Sequence, residues 1–325
     1  MTLARPWKRV SEVQGPTVAT HGDIPDLNRV FSDAFTERYR RDGMAGVRVP
    51  QLNPGIWRYA MDDSGGGALI WRGDAGQIVA FNIAHRSGVE GWMGPLAVRP
   101  EWQGAGLGKV IVQAGIDWLR ERNAGVIGLE TMPRTMDNIG FYSALGFVPT
   151  RLTITLTIDA ATTDAPVTLL DRLPTPGLRD DVVTACGALT RSQIPGYDYA
   201  REMRLTGEFG LGDTVVLERR GRVRGFAIFH SVPLVEGRSR EELRVLKLVV
   251  ERTEDIDDLV RLLAVAARRT GTKRVAIRVQ GEYPAVYQRL IALGARVRWT
   301  DLRMTAAGYP EPVAKTGAVF SNWEI

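Results

Sequence analysis

Apolar residues recur along this chain in two alternating rhythms. Residues 25–41 set Leu27, Val30, Phe31, Ala34 and Phe35 at helical spacing, and residues 106–122 do so with Leu107, Val110, Ile111, Ala114, Ile116 and Leu119. This is the pattern of a helix with one buried face. Between them, compact apolar runs at 68–72, 77–85 and 90–98 read as strands. A strand at 125–131, a short helix at 137–145 and a closing strand at 147–158 complete the first half.

The same order is then written a second time, from Val167 to about Ala306. Gly76-Gln-Ile-Val-Ala-Phe-Asn-Ile-Ala-His85 aligns with Gly221-Arg-Val-Arg-Gly-Phe-Ala-Ile-Phe-His230, and Leu96-Ala-Val98 with Leu248-Val-Val250. Val126 and Ser143 find their counterparts in Arg274 and Ile291. The offset is 152 residues at Leu96 and 148 from Val126 onward, so the second copy is four residues shorter between a strand and the next helix. Strands alternating with helices predict an α/β protein: two tandem units, each a mixed twisted sheet flanked by helices. The expected division is 1–158, a linker at 159–166 rich in Ala, Thr and Asp, and 167–325. The last segment, 307–325, reads as a terminal strand or as an arm docked on the other copy.

Length and charge narrow this picture only a little. At 325 residues, each half can bury its own core. The excess of 42 basic over 37 acidic residues is spread along the chain in pairs such as Arg40-Arg41. Without a basic run or patch, no nucleic-acid partner is expected. No apolar run is long enough to span a bilayer, and residues 1–10 carry charge without an apolar stretch, so neither membrane nor leader is expected. The single cysteine, Cys186, fits a reducing cytoplasm and reads as a small buried hydrophobe. His21, His85 and His230 lie in unlike contexts, so no metal is expected.

The chemistry gathers at Val98-Arg-Pro-Glu-Trp-Gln-Gly-Ala-Gly-Leu-Gly-Lys109, which joins an apolar strand to a helix. Glycines there let the backbone approach an anion closely, and the helix start supplies free N–H groups. Lys109 adds a cation. The nest suits a diphosphate. A P-loop is excluded because Val110 stands where its hydroxyl residue belongs.

With Leu96-Ala-Val-Arg-Pro before it, this Gln103-x-x-Gly106-x-Gly108 run resembles the acetyl-CoA signature of the GNAT superfamily of N-acetyltransferases. The segment Asn138-Ile-Gly-Phe-Tyr-Ser-Ala-Leu-Gly-Phe147 resembles that family's second landmark, a helix ending in Tyr-x-x-x-Gly-Phe. The resemblance implies a cofactor site formed by Leu96, Ala97, Val98, Gln103, Gly104, Ala105, Gly106, Leu107, Gly108, Lys109, Asn138, Phe141 and Tyr142. Leu96 and Val98 would bind the pantetheine arm through backbone groups. Two adjacent strands would part to admit it, and Pro95 fits such a place because proline cannot donate to a ladder. Where the family often has Asn, seven residues before the Tyr, this chain has Thr135. The implied activity is N-acyl transfer, with acetyl-CoA as co-substrate and a small-molecule amine expected ahead of a protein as acceptor. Tyr142 would protonate the leaving thiolate. Glu90 and Glu130 are candidate bases, with His85 and the chain's terminal carboxylate as alternatives. Longer acyl-CoA donors and a non-catalytic CoA-binding or scaffold role are the rival readings, and monomer and homodimer both stay open.

In the second copy the matching loop reads Val250-Glu-Arg-Thr-Glu-Asp-Ile-Asp-Asp258, without glycine and with five acids. Acids suit a helix start and repel phosphates. Leu290 stands at the place of Tyr142. One CoA site per chain is expected, in the first copy.

Overall fold

A computed structural model describes residues 13–323. Residues 1–10 and the terminal carboxylate, on both of which the sequence raised expectations, lie outside the described residues. The first half runs β1 (Gln14–Val18), α1 (Ile24–Arg41), α2 (Pro54–Ser64), β2 (Ala68–Arg72), β3 (Ile78–Ser87), β4 (Glu90–Val98), α3 (Leu107–Glu121), β5 (Val126–Thr131), α4 (Met136–Ser143) and β6 (Phe147–Asp159). The second runs β7 (Thr168–Leu169), α5 (Pro176–Gln193), α6 (Ala200–Glu208), β8 (Gly212–Arg219), β9 (Arg222–His230), β10 (Glu242–Val250), α7 (Asp255–Thr270), β11 (Arg274–Gln280), α8 (Pro284–Ala292), β12 (Arg296–Ala306) and β13 (Ala318–Ser321).

Strand β1 and helix α2 are the first-half elements that periodicity passed over. Helix α2 has strong local signals: the Asn53 side chain accepts from the Gly55 N–H at 2.9 Å, Pro54 opens the helix, and Gly65 closes it in the left-handed conformation.

Each half is layered helix–sheet–helix. Ile111, Val112 and Leu119 of α3 pack against Val79, Met93 and Ile127 on one face. Leu27 and Val30 of α1 and Trp57 of α2 pack against Ile70, Phe81 and Ile83 on the other. In the second half Leu259, Val260 and Leu263 of α7 cover Val245, Val275 and Ile277, while Cys186 and Leu189 of α5 meet Phe226 and Ile228. Cys186 is fully buried, and burial pushes its thiol up to about 12, as befits a packing residue.

The thirteen described strands make one sheet, in the order β1-β2-β3-β4-β5-β12-β6-β11-β10-β9-β8-β7, with β13 paired to β10. The closing strands therefore cross over. β12 lies between β5 and β6, and β6 continues onto β11, so each half ends its sheet on the other's strand.

Both halves part their sheet at the same place. The parallel pairing of β4 with β5 joins Glu90–Met93 to Val126–Leu129 and stops there. That of β10 with β11 stops after Glu242–Arg244. In the second half β13 fills the gap, pairing antiparallel with Lys247, Leu248, Val249 and Val250. The terminal segment is thus a strand of its own copy.

Candidate active site

The gap left open between β4 and β5 is the floor of a cleft of about 560 Å³. Leu96 and Val98 face its open side by the alternation of the strand. The Arg99 N–H donates to Val79 on β3, so Ala97, two residues back, also faces β3, while Leu96 and Val98 turn their N–H and C=O groups away from it. One of these groups, the Val98 carbonyl, accepts from the Gln103 side chain at 2.9 Å, which fixes the start of the loop.

The loop above this floor is rich in free donors. Its backbone bonds end with the Gln103 N–H to Pro100 and resume with the Lys109 N–H to Gly106. Among the described residues, the N–H groups of residues 104–108 have no backbone acceptor. Gly104 and Gly106 hold φ of +86° and +89°, a conformation that L side chains rarely adopt, and a Cβ on either would meet only open space. Gly106 is the N-cap of α3 and Lys109 lies exposed in its first turn, with no ion pair among the described residues. Open space over free amides at a helix start suits an anion such as a diphosphate.

Helix α4 forms the third wall with Asn138, Phe141 and Tyr142. Burial raises the Tyr142 phenol well above its ordinary range, so it keeps its proton. Thr135, at the family's Asn position, is buried and donates its hydroxyl to Asp42 at 2.8 Å, tying α4 to the end of α1. Of the residues expected from sequence, eleven line the cleft; Ala105 and Leu107 do not, Leu107 being a core residue under α3. The sequence reading missed the α1 wall: Ala34, Phe35, Arg38 and Arg41. Their spacing along one helical stripe was visible, but nothing in the sequence says which element that stripe faces.

Neither candidate carboxylate lines the cleft; both are held by residues of the second copy. Glu90 is fully buried and accepts from Trp92 Nε1 at 2.9 Å and the Tyr199 hydroxyl at 3.1 Å. Glu130 accepts from Thr153 at 2.6 Å, from Arg303 at 2.8 Å and from Arg278. Burial alone would raise its pKa, but the charges of Arg278 and Arg303 outweigh burial and bring it down to about 2. His85 is buried, 3.1 Å from Asp63 through Nδ1 and stacked on Trp323, and His230 is buried against Thr206 and Tyr59.

Residues 26–147 match the model of the Acetyltransferase (GNAT) family. The match lies within the first copy and stops short of the second. Within this family the proteins are acyltransferases with acyl-CoA as co-substrate, and the cleft's free amides and unpaired strand edge fit that molecule. Solved structures extend the likeness over both copies. A provisionally named acetyltransferase of Pyrococcus horikoshii shares 14% identity at a TM-score of 0.69, covering 99% of this chain and 98% of that one. A tandem GNAT protein from the clavulanic acid biosynthesis pathway shares 13% at a TM-score of 0.57, covering 93% and 100%. Saccharomyces cerevisiae N-myristoyltransferase with bound myristoyl-CoA shares 12% at a TM-score of 0.65, covering 96% and 86%. At such identities the likeness is one of fold. No curated protein sequence matches this chain. Among its described residues, no helix is long and apolar enough to cross a membrane.

Proposed function

We propose that the first copy is an N-acetyltransferase that moves an acetyl group from acetyl-CoA directly to a primary amine of a small molecule. One observation carries this: a strand edge without a partner, a loop of free amides and a protonated phenol converge on one cleft. Bound acetyl-CoA would supply a thioester carbonyl. The residues of this chain do the rest. The amides of residues 104–108 hold the diphosphate, and the outward groups of Leu96 and Val98 hold the pantetheine arm as a strand would. The backbone N–H near Leu96 polarises the carbonyl. Tyr142 delivers its proton to the departing sulfur. Of the two carboxylates, Glu90 makes no ion pair with a guanidinium among the described residues and, lying outside the cleft lining, takes the base role through intervening water. Glu130 is the counter-ion of Arg278 and Arg303.

Calorimetric titration with acetyl-CoA tests this, followed by thiol release across a panel of small amines. One site per chain and an amine-dependent thiol signal are expected. Absence of binding overturns the reading, and binding without thiol release favours a CoA-binding scaffold. The likeness to the N-myristoyltransferase favours a second reading, a longer acyl donor, which the same assay decides by comparing acetyl-CoA with myristoyl-CoA.

A further inference from the structure

Helix α1 lines the same cleft as the glycine loop. Its cleft-facing stripe changes character along its length: Ala34 and Phe35 first, then Arg38 and Arg41. At a rise of 1.5 Å per residue, Arg41 stands about 10 Å beyond Ala34. The loop with its free amides and these two cations line one cleft.

The bonding of Arg38 is lopsided. On one side its guanidinium pairs with Asp42, a carboxylate only 7% exposed that also accepts from Thr135. This contact is buried and fixed at both ends. On the other side Nη1 reaches 3.2 Å across to Asp137 at the start of α4, whose side chain is 80% exposed. A pair with so solvated a partner is weak. Arg38 Nε is buried and has no hydrogen-bond partner among the described residues. Arg41 bonds only Glu37, through Nε at 2.9 Å, and leaves its terminal nitrogens free among the described residues.

We propose that Arg38 and Arg41 form a second phosphate-binding wall for CoA, with Asp137 as a stand-in that keeps Arg38 in place until the phosphate arrives. This rests on the acyl-CoA reading of the cleft. Asp42 orients the guanidinium in advance, so little ordering is left for binding. A phosphate oxygen then displaces Asp137, because a charge-assisted bond in the cleft is stronger than one to a solvated carboxylate. Asp137 lines the same cleft and competes for Arg38, so its charge opposes the ligand. The diphosphate and the 3′-phosphate of CoA present the same chemistry, and the two are separable by experiment.

The test is the dissociation constant of acetyl-CoA, measured by calorimetry at low salt for the full chain and for Arg38→Gln, Arg41→Gln and Asp137→Asn, with thermal melts to confirm folding. The two arginine variants should bind roughly tenfold or more weakly, the loss typical of a charged hydrogen bond. Asp137→Asn should bind about two- to fivefold more tightly. Titration with 3′-dephospho-CoA identifies the phosphate. A loss that persists with this probe places the diphosphate against α1, and one that vanishes places the 3′-phosphate there. Unchanged affinity in both folded arginine variants overturns the proposal, as does weaker binding by Asp137→Asn. If Arg38→Gln does not fold, Arg41→Gln and Asp137→Asn decide. A wild-type chain that binds no CoA defeats the acyltransferase reading as well, whereas one that binds while its variants are indifferent defeats this wall alone.

Discussion

Burial acts on Tyr142 and Glu130 in the same direction, and their neighbours decide opposite outcomes. Nothing charged offsets desolvation at Tyr142, so its phenol stays neutral past its ordinary value near 10. Tyr142→Phe should lower kcat by at least about tenfold while the acyl-CoA affinity stays within about threefold, as expected for loss of a general acid. Stopped thiol-release measurements check this, and a kcat unchanged in the variant would remove Tyr142 from the chemistry. At Glu130 two guanidinium groups win, and its pKa falls from 4.5 to about 2. A carboxyl depressed in the folded state contributes stability above its unfolded value and loses it as pH drops towards the folded one. The contribution is about 3 kcal/mol, present above about pH 4.5 and fading towards pH 2. Glu130→Gln should lose about that much at pH 7, because Arg303 is only 1% exposed and would keep one partner fewer. Urea midpoints at pH 7, 4 and 3 should converge with wild type as pH falls; a constant gap would refute the assignment. The two residues also show what sequence can say. Tyr142 is marked by its spacing to Gly146 and Phe147. The arginine partners of Glu130 lie 148 and 173 residues away, and no local pattern announces them.

At the scale of elements, β13 fills in the second copy the place that the first leaves open. It pairs with Lys247, Leu248, Val249 and Val250, where the repeat aligns Leu248 and Val250 with Leu96 and Val98 of the open cleft. A peptide strand thus occupies the slot that a pantetheine arm would need, and all four of its residues are buried. Ala318→Pro should remove the ladder donor opposite Val250, clash with the neighbouring backbone and cost on the order of 3 kcal/mol, read as a lower melting temperature. Hydrogen exchange should quicken at residues 247–250. Calorimetry should still count one CoA per chain, because the acids between Glu251 and Asp258 remain; a second site appearing in the variant would show that β13, and not the loop, shuts that copy. The element order, the parted strand at Pro95 and the degenerate loop were legible from apolar spacing and glycine placement. Helix α2 was missed because its caps, not its periodicity, mark it. The role of β13 was left between two alternatives because a short apolar run does not state its edge partner.

The whole molecule is not two beads joined by residues 159–166. Strand β12 is covered by β5 on one edge and by β6 on the other, with its register against β6 running from Arg296–Thr157 to Ala306–Phe147. Strand β6 in turn takes β11 as its second neighbour, from Arg274–Asp159 to Gln280–Thr153. Cutting after residue 158 would therefore leave β5 with a bare edge and β6 with two, and β11 would lose its partner in the other piece. Long bare edges pair with whatever is near, which in a concentrated sample is another copy. Each half alone should thus be insoluble or strongly aggregated, although each is of ordinary domain size. The two pieces expressed together should recover a soluble heterodimer, because every lost ladder is between them. Size exclusion and circular dichroism of 1–158 and 159–325, apart and together, check the point. If 1–158 alone proved a folded monomer that binds acetyl-CoA, the crossed strands would be an ornament of the pairing and not its basis. If only the pair binds, the second copy has a plain physical role: it completes the sheet on which the first copy's cleft is built.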